Sequence, residues 1–415
     1  MKALLDPSVL ILAVVLLLIA VRQVGRFRLS IWMIMLAGAV AALASGQIAP
    51  MEALRAVDLD VMLFLFGMFV LGRAMEESGY LLTLSHRLFE RAGNTSTLVL
   101  LILFGMGLLS AVLMNDTLAV IGTPLVLYFA SKHGISPTML LLALAFAVTT
   151  GSVMSPIGNP QNLLIALHAQ MANPIVTFLL YLGVPSLVNL FLAFLALRLL
   201  YPKEFHAQPL IHEEEPLKDP GLACLCRVSL WIVIACIAAK ALIVTLGLPF
   251  DFRLTYIALA AAVPILLLSP NRLRILRRMD WPTLVFFASM FVLMRAVWNS
   301  GAIQSVLGGR TFASVPSILC LSVLLSQLVS NVPFTALFLP LLAPSGASSA
   351  TVMALAAGST IAGNLLLLGA ASNIIIVQAA EERGSTLGFL DFARAGIPLT
   401  VCQVLVYWGW LSLLG

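Results

Sequence analysis

Four short stretches bring amide, hydroxyl and carboxylate side chains together with Gly or Pro inside otherwise apolar sequence. They are Asn115-Asp116-Thr117, Ser155-Pro-Ile-Gly-Asn-Pro-Gln-Asn162, Ser330-Asn331-Val332-Pro333-Phe334-Thr335 and Gly369-Ala-Ala-Ser-Asn373. An unwound turn frees backbone carbonyls that ligate a cation, and the helix N-terminus after it presents N–H groups to an anion. The chemistry is therefore ion binding rather than bond making. The candidate residues are Asn115, Asp116, Thr117, Gly158, Asn159, Asn162, Ser330, Asn331, Thr335, Gly369, Ser372 and Asn373. Of the 18 acidic residues, Asp116 alone sits deep in an apolar stretch. A carboxylate at membrane depth is costly unless partnered, which makes it a functional candidate by default. It would carry a proton, or complete a sodium site with Asn115 and Gly158; the bland alternative is a carboxylate capping the next half-helix.

Other polar residues read more plainly. Arg73 and Arg295 lie near span ends, where long cationic side chains snorkel to the interface. Lys240 is mid-span, and His168 follows the second break. The 16 methionines and five cysteines show no ligand spacing, so no metal centre or disulfide framework is expected. There is no Walker A motif, no cofactor fingerprint and no nucleophile–base pair, so neither an enzyme nor a resident cofactor is expected.

The elements that must position these residues are membrane helices. Hydrophobic residues make up 61% of the 415-residue chain and charged residues 10%, with a mean hydropathy of +1.06. A soluble fold carries roughly 25% charged residues. The net charge of +5 is spread over short loops rather than gathered in one patch, which excludes a nucleic-acid partner and leaves membrane lipid. Spans of about 20 apolar residues read at roughly 8–22, 29–46, 60–75, 137–171, 175–199, 223–247, 254–269, 282–298, 349–381 and 392–414. The stretches 96–131 and 313–345 are interrupted near their middles.

The two halves match. Met68-Phe-Val-Leu-Gly-Arg-Ala-Met-Glu-Glu-Ser-Gly79 aligns with Met290-Phe-Val-Leu-Met-Arg-Ala-Val-Trp-Asn-Ser-Gly301, eight of twelve positions being identical. Asp58 pairs with Asp280, Phe27-Arg-Leu-Ser30 with Phe252-Arg-Leu-Thr255, and Gly158-Asn-Pro-Gln-Asn162 with Gly369-Ala-Ala-Ser-Asn373. Asn115 precedes Pro124 as Asn331 precedes Pro340. The expected organisation is all-α: a first repeat over 1–200 (hairpin 96–131, broken helix 137–171), a linker over 201–222, and a second repeat over 223–415 (hairpin 313–345, broken helix 349–381). With the N-terminus outside, 17 of 23 basic residues fall on the cytoplasmic side. Each repeat then crosses five times, so the repeats are inverted, the hairpins enter from opposite faces and both termini lie outside.

These motifs resemble the ion transporter superfamily. The carriers are Asn115-Asp116-x-x-Ala119 followed by Thr123-Pro124, then Ser155-Pro-Ile-Gly-Asn-Pro-Gln-Asn162, then Ser330-Asn331-x-Pro333. The resemblance covers essentially the whole chain and is strongest to the arsenite-permease and anion-permease branch, relatives of the divalent-anion/sodium symporters and of bacterial sodium/proton antiporters. It implies an elevator transporter of a prokaryotic-type inner membrane. A scaffold of outer helices would dimerise, and a mobile domain would carry the hairpins and broken helices. It also implies a first ion site at Asn115, Asp116, Thr117, Gly158 and Asn159, and a second at Ser330, Asn331, Thr335, Gly369 and Asn373. Asp116 resembles the acid of proton-coupled arsenite exporters. The tips depart from the Ser-Asn-Thr of dicarboxylate symporters, and Val332 stands against dicarboxylate binding.

The leading expectation is proton-coupled efflux of a small inorganic anion or metalloid oxyacid such as arsenite or antimonite. The rivals are sodium/proton antiport and sodium-coupled symport of a carboxylate or other anion. A channel, or a subunit docking an ATPase partner on the linker, is the reading from a different class.

Overall fold

The computed structural model describes residues 6–21, 23–24, 27–28, 30–80, 83–84, 92–169, 171, 173–205, 218–246, 253–302, 305, 314–342 and 347–414. Most of the expected linker, residues 206–217, and the basic residues Arg22, Arg26, Arg87 and Arg91 lie outside these.

The described chain is helical apart from a two-residue antiparallel pair, Gln23–Val24 with Phe27–Arg28. The first half contains α1 (Pro7–Val21), α2 (Ile31–Ala44), α3 (Pro50–Ala56), α4 (Leu59–Ser78), α5 (Thr95–Val112), α6 (Asn115–His133), α7 (Pro137–Ser152), α8 (Pro160–His168) and α9 (Pro174–Leu200). The second contains α10 (Pro220–Thr245), α11 (Leu254–Leu268), α12 (Arg272–Arg277), α13 (Trp281–Asn299), α14 (Val315–Val329), α15 (Asn331–Leu342), α16 (Ser349–Leu365), α17 (Ala371–Glu381) and α18 (Phe389–Leu414).

Local sequence sets the ends. The Asp58 carboxylate accepts the Val61 N–H and Asp280 accepts the Thr283 N–H, so the two sequence-matched acids are both N-caps, of α4 and α13. Gly79 closes α4, and Gly134 closes α6, in the left-handed conformation that glycine adopts without a Cβ clash. Pro137 and Pro160 stand at the first positions of α7 and α8, where a missing N–H is harmless.

Among the described residues, five helices are long and apolar enough to cross a membrane: α5, α9, α13, α18 and Pro220–Lys240 of α10. The sequence reading expected ten full spans. The difference is one of length and charge. α1, α2, α7, α11, α14 and α15 are apolar but shorter, and α4 carries Asp60, Arg73, Glu76 and Glu77. The first arm of the expected hairpin, α5, is itself of crossing length, with a π-helical turn at Ile102–Met106.

The helices pack as two groups, the first in two parts that touch where α13 meets α4. In one, α4 packs on α10 and α11, and α13 on α2 and α3. In the other, α16 packs on α14 and α18, α6 on α7 and α17, and α15 on α8. Thinner seams join the groups, where α13 meets α15 and where α4 meets α6 and α8. The molecule has two polar faces. At one, the Asn271 amide donates to Asp219 at 3.0 Å and the Ser136 N–H to Glu204 at 2.8 Å; this is the linker face. At the other, the Asn299 amide donates to Glu52 of α3 at 2.8 Å; this is the α3 face.

Candidate functional site

The polar stretches do mark interruptions, but most of their side chains lie in the first turn after each break rather than in it. α6 begins at Asn115, so the break of the first hairpin is Leu113-Met114. α15 begins at Asn331, leaving Ser330 alone as the break. α8 begins at Pro160, after Asn159, and α17 at Ala371, after a single turn at Leu367–Gly369. The reason is positional. Asn, Thr and Pro are tolerated in a first helical turn, where the backbone N–H groups have no intrahelical partner. Four half-helix N-termini therefore face the interruptions, and such ends favour anions.

Ser330 is the one non-glycine residue among those described with a positive φ, at 71°, with ψ at 153°. That region is essentially reserved for glycine and costs on the order of 1–3 kcal/mol. Gly158 has no room for a side chain: a Cβ there would lie 2.7 Å from the Ser152 carbonyl and 2.8 Å from that of Ser110. At Gly369 the nearest atom would be the Ala362 carbonyl, at 2.6 Å.

The first half of the site is hydrogen-bonded within itself. The Asn115 N–H donates to the Gly158 carbonyl at 3.0 Å and ties the hairpin to the broken-helix loop. The Asn115 side-chain oxygen accepts the Asp116 N–H. Asn159 caps α8 through the Asn162 N–H and donates to Ser152. The Asn162 amide reaches the carbonyls of Ser152, Val153 and Ser155, so the carbonyls expected to be free for a cation are engaged. Both asparagines also meet Thr360 of α16, about 200 residues away in sequence. Thr117 packs on Gly72 of α4, where a Cβ would lie 2.8 Å from its hydroxyl oxygen.

Asp116 differs from its neighbours. It is half-buried, and its carboxylate takes no hydrogen bond or ion pair from a described residue. It caps nothing: the N-cap of α6 is Met114, with no side-chain bond. Of the proposed sodium ligands Asn115, Asp116 and Gly158, only Asp116 offers oxygens with no protein partner. No cluster of three or more His, Cys, Asp or Glu residues suited to a metal occurs among the described residues.

The second half leaves acceptors open. The Asn373 amide donates to the Gly363 carbonyl at 2.7 Å, repeating the ten-residue reach of Asn162 to Ser152. The side-chain oxygens of Asn331, Asn373 and Ser372 are buried without a partner. Thr335 donates within its own helix to the Asn331 carbonyl.

Sequence reasoning missed a second set of polar residues. Asn364 and Gln403 share Thr150, and Gln327 donates to the Ala362 carbonyl at 2.7 Å beside Gly369. Gln161 donates to Thr360. One signal was available: the offset pairing Gly158 with Gly369 also pairs Thr149 with Thr360.

Two charged residues read as bland are engaged. Arg73 does not snorkel alone; it bonds Glu76 at 2.7 Å and Glu77 at 3.1 Å. The His168 ring donates to Asp58 at 2.6 Å, across the seam from α8 to the cap of α4. Burial opposes the charge on Asp58, but the bonds from His168 and the Val61 N–H hold its carboxyl below the usual carboxylate range.

Interrupted apolar helices that gather amide, hydroxyl and carboxylate groups are what a membrane transporter requires. The comparisons agree. Residues 14–351 match the citrate transporter profile, and the chain belongs to that family, within the ion transporter and anion permease superfamily. It is 26% identical over 371 residues to an uncharacterized transporter of Mycobacterium tuberculosis, covering 84% of each chain. It is 28% identical over 347 residues to the inner membrane protein YbiR of Escherichia coli, covering 81% of this chain and 83% of that protein. The fold is similar to the crystal structure of the YdaH transporter of Alcanivorax borkumensis, with a TM-score of 0.58 at 17% identity over 99% of this chain and 97% of that one.

Proposed function

We propose that the chain is a secondary active transporter in which Asp116 carries the coupling proton, and that it exports a small metalloid oxyacid or inorganic anion such as arsenite or antimonite. The observation that carries this reading is the unpartnered Asp116 carboxylate at a hairpin tip faced by half-helix N-termini. None of the four stretches supplies a Lys or Arg. A multiply charged anion would meet only helix dipoles there, set against the charge of Asp116. The open acceptors of Asn331, Asn373 and Ser372 suit the O–H donors of an undissociated oxyacid instead. The same oxygens are hard ligands for sodium. The citrate family profile therefore supports a second reading, sodium-coupled transport of a carboxylate.

In either reading the helices work as two inverted repeats. The group holding α6, α8, α15 and α17 moves against the other as an elevator. The linker face is cytoplasmic, the protein sits as a homodimer in the inner membrane, and ion gradients drive transport without an ATPase partner.

Internal pH in proteoliposomes of purified protein tests the reading, with arsenite, citrate and sodium added in separate runs. A proton flux that needs arsenite supports the lead. A sodium-dependent response that needs citrate supports the second. A flux evoked by sodium alone makes the protein a sodium/proton antiporter and overturns both.

A further inference from the structure

A cavity of about 380 Å³ opens at the α3 face, in the seam where α13 of one helix group meets α8 and α15 of the other. Its size falls within the range of ordinary ligand sites. Its wall is apolar except for Asp58, His168 and Arg295. The carboxylates in the cavity wall and on the surrounding elements are all hydrogen-bonded. Asp58 accepts from His168, Glu52 from Asn299, and Asp60 from Thr255 and Arg253. The Arg295 side chain is exposed and has no ion pair with a described residue.

The matching arginine of the first half shows what is missing. Arg73 is neutralised by Glu76 and Glu77, one turn further along its helix. The aligned positions in the second half are Trp298 and Asn299. Both counter-charges are gone, and one is replaced by an indole that lines the cavity. A guanidinium is a planar fork of donors that fits the oxygens of a phosphate. Beside an apolar wall, it selects an anion that carries an apolar body. A small polar anion would satisfy the arginine and leave the wall facing water.

We propose that this cavity binds a membrane lipid with an anionic phosphate headgroup, its phosphate on Arg295 and the upper part of one chain against Phe291, Met294 and Leu164. Basic pockets between membrane helices on the cytoplasmic side select such headgroups; here the same guanidinium chemistry would act on the opposite leaflet, which supplies this amphiphile next to the seam. The volume suits the headgroup and the first methylenes, with the remainder of the lipid in the bilayer. A lipid held here wedges α13 away from α8 and α15. Its effect on transport rests on the elevator reading; its binding does not.

The test is native mass spectrometry of delipidated, full-length protein supplied with phosphatidylglycerol or phosphatidylcholine. Wild type is expected to retain phosphatidylglycerol in preference, and Arg295→Gln to lose that preference by about tenfold. Arg295→Lys should keep part of it, because the charge survives without the fork. Asp116→Asn should bind lipid like wild type, so a failed proton-carrier role would leave this result standing. Equal retention by wild type and Arg295→Gln overturns the proposal, as does the absence of any headgroup preference in wild type. Displacement of phosphatidylglycerol by an equal concentration of citrate overturns it too, since the cavity would then be a small-anion site.

Discussion

Asp116 stands where the other hairpin has Val332, so only the first tip carries an acid. Its carboxylate is not consumed by capping or by an ion pair, so its removal should spare the fold. Asp116→Asn is expected to insert and purify like wild type and to lose coupled transport. Flux and pH dependence in proteoliposomes check this, and wild-type behaviour would end its role as the ion carrier. Ser330 allows a prediction of opposite sign for stability. Its backbone, at φ 71°, suits glycine. Ser330→Gly should therefore stabilise the protein by about 1 kcal/mol by relieving strain, read from thermal unfolding in detergent. If the strain serves to aim the hairpin tip, the same variant should also weaken substrate affinity, which a transport KM would report.

At the scale of elements, glycine sets how closely the site helices approach. A Cβ at Gly151 of α7 would lie 2.1 Å from the Gly107 carbonyl oxygen of α5, and backbone cannot step aside as a flexible side chain can. Gly151→Ala should destabilise the protein by about 3 kcal/mol, the upper end of overpacking costs. Gly409→Ala in α18, with nothing within 4 Å of its Cβ, is the control and should be neutral or slightly stabilising. Unfolding midpoints of the pair separate packing from propensity. The elements were largely legible in the sequence because Gly, Pro and polar residues punctuate long apolar runs, and the aligned acids Asp58 and Asp280 are both helix caps. What the local pattern did not show is which side chains stay open for ligand. Asn159 and Asn162 belong to a motif expected to bind ions, yet their amides hold the loop carbonyls of Ser152, Val153 and Ser155 and reach Thr360. Those partnerships depend on packing between distant parts of the chain, and no spacing rule within one stretch reveals them. The same holds for Thr150, Asn364 and Gln403, which build one hub from three helices.

For the whole molecule, the seam between the helix groups is where the proposed elevator movement can be tested. The His168–Asp58 bond joins α8, which carries half of a broken helix, to the cap of α4 in the other group. If α8 moves as part of an elevator, this bond must break in every cycle, and a covalent bridge in its place should stop transport. Both residues lie at the α3 face and outside the polar network around Thr360, and the reduced double variant controls for the cost of about 1 kcal/mol of losing the Asp58 cap of α4. The double variant Asp58→Cys/His168→Cys, in a background lacking the five native cysteines, should transport when reduced. Bridging with a short thiol-specific, disulfide-forming cross-linker should abolish flux, and dithiothreitol should restore it. Each single variant treated with the same reagent controls for blockage by the adduct. A bridged protein that transports at the reduced rate would mean that the two groups stay fixed across this seam; the ion path would then have to open through the hairpins alone, with Asp116 exposed in turn to each face by movement of α6 and α15.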